Sequence, residues 1–145
     1  MSTVTSIAGA IIQVLAAQPW VDAASTNEYL PSAAHAAVCA FAVPYNQETT
    51  VVADSLDGQS ITLRHVLVVE FWIQHRNGQA AATMQAARDA GALAIAALLS
   101  NDGDGYTLAR EMDFRERIDP GPVTHLGVPW LVSTLYVPVE NEVNT

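Results

Sequence analysis

Glu70 is the carboxylate in this sequence best placed to leave its ordinary titration range, because Val69 and Phe71 flank it in an apolar run and burial disfavours the charged form. Paired with a histidine it would make the acid-base couple of a small acidic hydrolase-like domain. It falls, however, on the polar parity of its strand, where exposure or a pairing with Arg64 accounts for it without catalysis. His35, His65, His75 and His125 are scattered at separations unlike any compact metal motif. Asp102-Gly103-Asp104-Gly105 has the look of a calcium loop but lacks the alternating oxygen ligands and the closing Glu, so it reads as a turn. Cys39 has no basic neighbour to lower its pKa and reads as a small buried hydrophobe. No nucleophile elbow, P-loop or dinucleotide-binding glycine pattern is present, and no cofactor or metal is implied. The Arg115-Glu116-Arg117 triplet is different in kind. Its mixed charges precede a Pro-Gly turn and suit a projecting hairpin that makes salt-bridged contacts between subunits, where the planar guanidinium fork is favoured, or equally an ordinary solvated strand face.

These residues must be positioned by a strand and helix that run from Ile61 to Leu99. Ile61, Leu63, Leu67, Val69, Phe71 and Ile73 share one side of an extended chain, and Thr62, Arg64, Glu70 and Gln74 share the other. After His75-Arg76-Asn77-Gly78 the period becomes helical, with Met84, Ala87, Gly91, Ile95, Leu98 and Leu99 as one stripe. No charge follows Asp89 until Asp102, so Ala90 to Leu99 is apolar nearly all round. A helix covering one sheet face does not require that, and a second copy of the chain is expected on its outer side, with Ala90, Ala94 and Ala97 as contact residues.

Upstream, Ser2 or Thr3 caps a short helix in which Ile7, Ala10, Ile11, Val14 and Leu15 recur at helical spacing until Pro19. Trp20 to Pro31 reads as a loop or short turn region, and the exposed Glu28-Tyr29 pair within it equally as a contact site or as a surface feature without a role. His35 to Val43 reads as a strand ending at Pro44. Tyr45 to Ser60 reads as a long loop or loose hairpin, a partner-binding arm carrying Glu48, Asp54 and Asp57. Downstream, Tyr106 to Ile118 alternates as a strand with one charged face, Asp119-Pro120-Gly121-Pro122 is its turn, and Val123 to Val139 returns with a bend at Gly127-Val128-Pro129. Both faces of Trp130 to Val139 are apolar, and Glu140 to Thr145 is expected to fray. The pattern predicts an α+β domain spanning 1–145, with an antiparallel or mixed sheet of about four strands, one long helix packed on it and a short N-terminal helix.

The chain has 145 residues and a formal charge of −9, with 15 acidic residues against six basic ones, all of them Arg. Nucleic-acid binders draw their affinity from Lys and Arg that neutralise phosphate, so this composition argues against DNA binding. It suits a surface that DNA slides past. No apolar run reaches the roughly 20 residues of a membrane helix, and Met1 to Val14 has no basic residue ahead of its apolar part, as a signal peptide would.

The order of elements resembles a family. A short N-terminal helix, a strand, an acidic connection, the long strand His65-Val66-Leu67-Val68-Val69-Glu70-Phe71, a long helix, the charged strand Tyr106 to Arg117 and a final strand Trp130 to Val139 together resemble the tail-terminator, or tail-completion, proteins of long-tailed bacteriophages. The resemblance covers nearly the whole chain and is one of pattern, without an invariant motif. It implies a virion protein of the tail neck, assembled in the host cytoplasm as a hexameric ring. Such a ring ends tube polymerisation, meets the tail tube protein on one side and a head-completion or stopper protein on the other, and lets DNA pass without binding it. It implies no catalytic residue and no membrane. A head-closure ring is the nearest alternative, and the Tyr45 to Ser60 arm has no residue-by-residue match in the family.

Overall fold

The computed structural model describes residues 4–26, 30–31, 38–54, 60–75, 79–110, 112–119 and 121–144, the side chains of 42–49, 52–54 and 144 excepted. Helix α1 (Val4–Ala16) carries Ile7, Ala8, Ile11, Ile12 and Leu15 on its buried face and gives way before Pro19. Strand β1 (Ala23–Ser25) lies parallel to β2 (Val38–Asp54), and β2 pairs antiparallel with β3 (Ser60–Gln74). Helix α2 (Ala80–Ser100) then runs back over the sheet. Its last turn is closed by side chains: Asn101 Nδ2 donates to the Ala97 carbonyl at 2.8 Å and the Tyr106 hydroxyl to that of Leu98 at 2.6 Å. Gly103 and Gly105 take positive φ in the turn that follows, and Asp102 fastens it by accepting from the Leu108 N–H and the Arg110 guanidinium.

The last third builds the far edge. Strand β7 (Val128–Asn144) pairs with β3 without a register break, from Ser60 opposite Asn144 to Gln74 opposite Trp130. On its other side lie β4 (Thr107–Leu108), β5 (Arg115–Ile118) and β6 (Val123–His125), all antiparallel to it and in chain order, as one interrupted lane. The fold is α+β with a mixed sheet. Among the described residues that sheet has seven strands in five lanes, ordered β1, β2, β3, β7 and the broken outer lane.

The expectation of about four strands therefore needs correction, for physical reasons visible in the chain. Residues 45–54 of the expected loop continue β2, held on β3 through register shifts that absorb Pro44 and its neighbours. The turn expected at Asp119 to Pro122 does not end the outer lane, because Ile118 faces Ser133, the Asp119 N–H donates to the Val132 carbonyl and Val123 already faces Trp130. The hairpin turn is instead Leu126-Gly127, both at positive φ as a two-residue type I′ turn requires. The tail does not fray up to Asn144, since β3 pairs with it throughout. Neither is the N-terminal helix an accessory: Ile7, Ile11 and Leu15 enter the same core as α2. Ser2, Thr3, Glu28, Tyr29, His35, Asp57 and the 76–78 connection lie outside the described residues.

Both helices cover one sheet face. Ala40, Leu67, Val69, Phe71, Ile73, Leu131, Leu135, Val137 and Val139 meet them there. The other face holds a smaller cluster of Cys39, Phe41, Trp72, Trp130 and Val132. Burial from both sides explains why Trp130 to Val139 is apolar on both parities. His125 closes this side, its ring edge-on to Trp72 and its Nε2 donating to the Pro31 carbonyl at 2.9 Å. None of the described helices is long and apolar enough to cross a membrane.

Candidate assembly interface

Helix α2 presents two unlike faces. Ala90, Ala94 and Ala97 are 2%, 0% and 8% exposed and pack into the chain's own core, with Thr83, Ala87, Gly91 and Leu98. The expectation that these alanines meet a neighbouring subunit is thus corrected. The inward stripe is rotated from the one expected: Met84 and Ile95 are half-buried and Leu99 faces out. An alanine-rich helix makes this ambiguous from sequence, because ten of the twenty residues from Ala80 to Leu99 are Ala and their hydrophobicity marks no side. The outer face carries Arg88 and Asp89, then an exposed apolar run of Ala92, Leu93, Ala96 and Leu99. This is the surface that the expected second copy would cover.

The charged triplet is split by strand alternation. Arg115 and Arg117 lie opposite Tyr136 and Thr134 on the sheet face away from the helices. The Arg115 guanidinium stands 4.9 Å over the Tyr136 ring, and Arg117 Nε is 3.9 Å from Asp119 Oδ1, a long and exposed ion pair of little worth by itself. Glu116 points the other way. Its carboxylate occupies the space that any side chain at Gly91 would need, and burial there raises its pKa. The triplet does not project as a hairpin, because β7 holds it along its length. Replacing both arginines with Glu takes the formal charge from −9 to −13, two units for each site. Assembly of the double variant should weaken, most at low salt, as followed by light scattering across a salt series. Unchanged assembly would leave Arg115 and Arg117 as a solvated strand face.

Arg64 pairs with Glu140 directly across the β3–β7 ladder at 3.2 Å, rather than with Glu70. Glu70 sits between Phe41 and Thr134 on the neighbouring strands and is half-buried. Burial raises its pKa; the Trp72 indole lowers it, although Trp72 Nε1 makes no hydrogen bond of regular geometry among the described residues, and the Asp119 charge raises it. A carboxyl raised above the ordinary 4.5 binds its proton more tightly in the folded chain than in the unfolded one. Stability then falls as pH rises through the range above 4.5. Glu70→Gln removes that loss, so its Tm should exceed wild type at pH 7 and match it below pH ~4. Equal Tm at both pH values would contradict the burial of Glu70.

Among the described residues none of the histidines hydrogen-bonds the Glu70 carboxylate: His65 donates to Asn141 Oδ1 at 2.6 Å on the opposite face, and His125 is committed to Pro31. Burial, then the Asp22 charge, pushes the Cys39 thiol up to about 11, which leaves it protonated and inert. Glu48 and Asp54 occupy β2 positions opposite Val66 and Ile61, on the long β2–β3 ribbon rather than a loop. The structure does not bring them to the Arg115-Glu116-Arg117 strand, which lies beyond β7. Sequence reasoning passed over Leu126, an exposed leucine at φ 54. The signal was a Leu-Gly pair between two strand-forming runs.

Comparison with protein-family models and with curated proteins finds no match. What the chain can do rests on the surfaces just described.

Proposed function

We propose that this protein is a structural subunit of a long-tailed bacteriophage, a tail terminator whose copies form a ring at the head-proximal end of the tail tube. The ring ends tube polymerisation and offers the surface on which the head joins. The observation that carries this reading is the outer face of α2, where Leu93 and Leu99 stand 45% and 41% exposed between alanines. A helix at the surface of a monomer would carry charge there; this one has only Arg88 and Asp89 along its whole length. The preformed sheet offers long ribbons for contact with a tube protein on one side and a stopper protein on the other. A head-closure ring uses the same features and is the second reading within this class.

The charge supports a passage for DNA rather than a grip on it. Six copies at −9 each carry about −54, with no lysine and no cluster of arginines to release counterions from phosphate. Two measurements test the proposal. Light scattering of the purified protein, alone and with the tube protein, should find a closed oligomer, and a gel-shift titration with duplex DNA at physiological salt should find no complex. A monomer under every condition, with Glu70-dependent hydrolase activity, would favour the enzyme reading instead.

A further inference from the structure

Two charges on opposite sides of the subunit lack a counterpart. Of the described arginines, Arg64, Arg110 and Arg117 meet carboxylates and Arg115 an aromatic ring. Arg88 meets neither among the described residues, and it stands exposed on the outer face of α2. Glu70 is its converse. On the sheet face away from the helices it lies between Phe41 and Thr134, neither of them charged, and among the described residues no cation pairs with it. The charge that reaches it is that of Asp119, of like sign, and burial already holds its carboxyl above the ordinary range. Folding of a single chain is opposed by this carboxylate and would be spared by a glutamine.

The two places also match in pattern. Asp89 follows Arg88, so the outer face of α2 carries a positive and a negative tip side by side, and at about 3.6 residues per turn on a cylinder of about 10–12 Å the tips stand about 8 Å apart. On the sheet, Glu70, Thr134 and Arg117 face one another in turn across β3, β7 and β5, which sets Glu70 and Arg117 two strand spacings, about 10 Å, apart. This row is open: Glu70 and Thr134 keep part of their surface, and the Arg117 side chain is 69% exposed. A helix laid along it sets Arg88 against Glu70 and Asp89 against Arg117, whereas the reversed placement opposes like charges. The same placement covers Leu93 and Leu99.

We infer that the outer face of α2 in one copy packs on the back of the sheet in the next, with Arg88 paired to Glu70 and Asp89 to Arg117. The inference rests on the ring reading above and names the surface that α2 meets. Helix layer and sheet back are opposite sides of the subunit, so the contact is head-to-tail, the type that generates rings where the rotation closes. The stability that Glu70 takes from the single chain is offset in the assembly, where the guanidinium of the next copy favours its charged form.

A double-mutant cycle tests the pairing. Arg88→Gln and Glu70→Gln should each weaken self-association about tenfold in light scattering, and the two together no further, since either removes the same pair. Glu70→Gln should meanwhile raise the Tm of the unassembled chain and Arg88→Gln leave it unchanged, which separates assembly from folding. Reversal gives an independent reading: Asp89→Arg combined with Arg117→Asp should recover the association that either change alone loses. If either Gln variant associates like wild type, if the double loses about a hundredfold as independent sites do, or if the reversal recovers nothing, the pairing is refuted and the ring stands. Should Glu70→Gln melt below wild type, the reversal decides, because Asp89 and Arg117 are exposed and their replacement leaves the core intact. Wild type that stays monomeric at every concentration, alone and with tube ends, overturns ring and pairing together.

Discussion

Ala94→Glu is expected to abolish cooperative folding. Ala94 is 0% exposed, in the α2 stripe that meets Leu67, Val69 and Leu135 of the sheet, and no cation faces it from that apolar core. An unpaired carboxylate there costs several kcal/mol even after relaxation, and the added volume costs a further ~1–3 kcal/mol. A domain of this size has about 5–15 kcal/mol to lose. Ala96→Glu, two residues on and exposed, is the control: the monomer should keep its stability within about 0.5 kcal/mol, yet its assembly should fail because the charge enters the outer apolar face. Circular-dichroism melts and light scattering read the two effects separately. If Ala94→Glu melts like wild type, α2 is not packed as described; if Ala96→Glu assembles normally, its outer face is not the contact.

What the sequence revealed and what it hid both follow from how strongly each segment constrains its own geometry. In residues 61–73 the parity of Leu67, Val69, Phe71 and Ile73 is the core face as expected, whereas Val66, Val68 and Trp72 on the other parity are buried as well, because that sheet face is covered too. Helix α1 was equally legible, because Ile7, Ile11 and Leu15 stand out among small residues. In α2 the existence of a helix was plain but its rotation was not, since alanine is neutral between core and surface. Turn chemistry misled at two places. Pro-Gly-Pro at 120–122 is a strong turn signal, yet the outer lane resumes after it and Leu126-Gly127 turns the chain, a role that a leucine does not advertise. Residues 45–54 follow Pro44 and include Glu48 and Asp54, which argue against a strand, but pairing with β3 overrides local propensity. The candidate interface residues were the least legible. Arg115, Glu116 and Arg117 were marked by charge, but which of them face outward depends on strand parity, and Glu116 rests in the notch of a glycine 25 positions earlier in the chain.

On the proposed tail-terminator reading, tails assembled without this protein are expected to grow to uncontrolled lengths and to remain unjoined to heads, because nothing would cap the tube or receive the connector. The effect should be all-or-none, since an incomplete ring leaves sites on which tube subunits can still add. The direct measurement adds purified protein in increasing amounts to growing tubes of the cognate tube protein and records lengths by electron microscopy. A ring at one end of each tube, with growth stopped in proportion to the rings added, is the predicted result. Unchanged length distributions with no density at the tube ends, or normal head-joined tails formed in its absence, would contradict the assignment as a tail terminator.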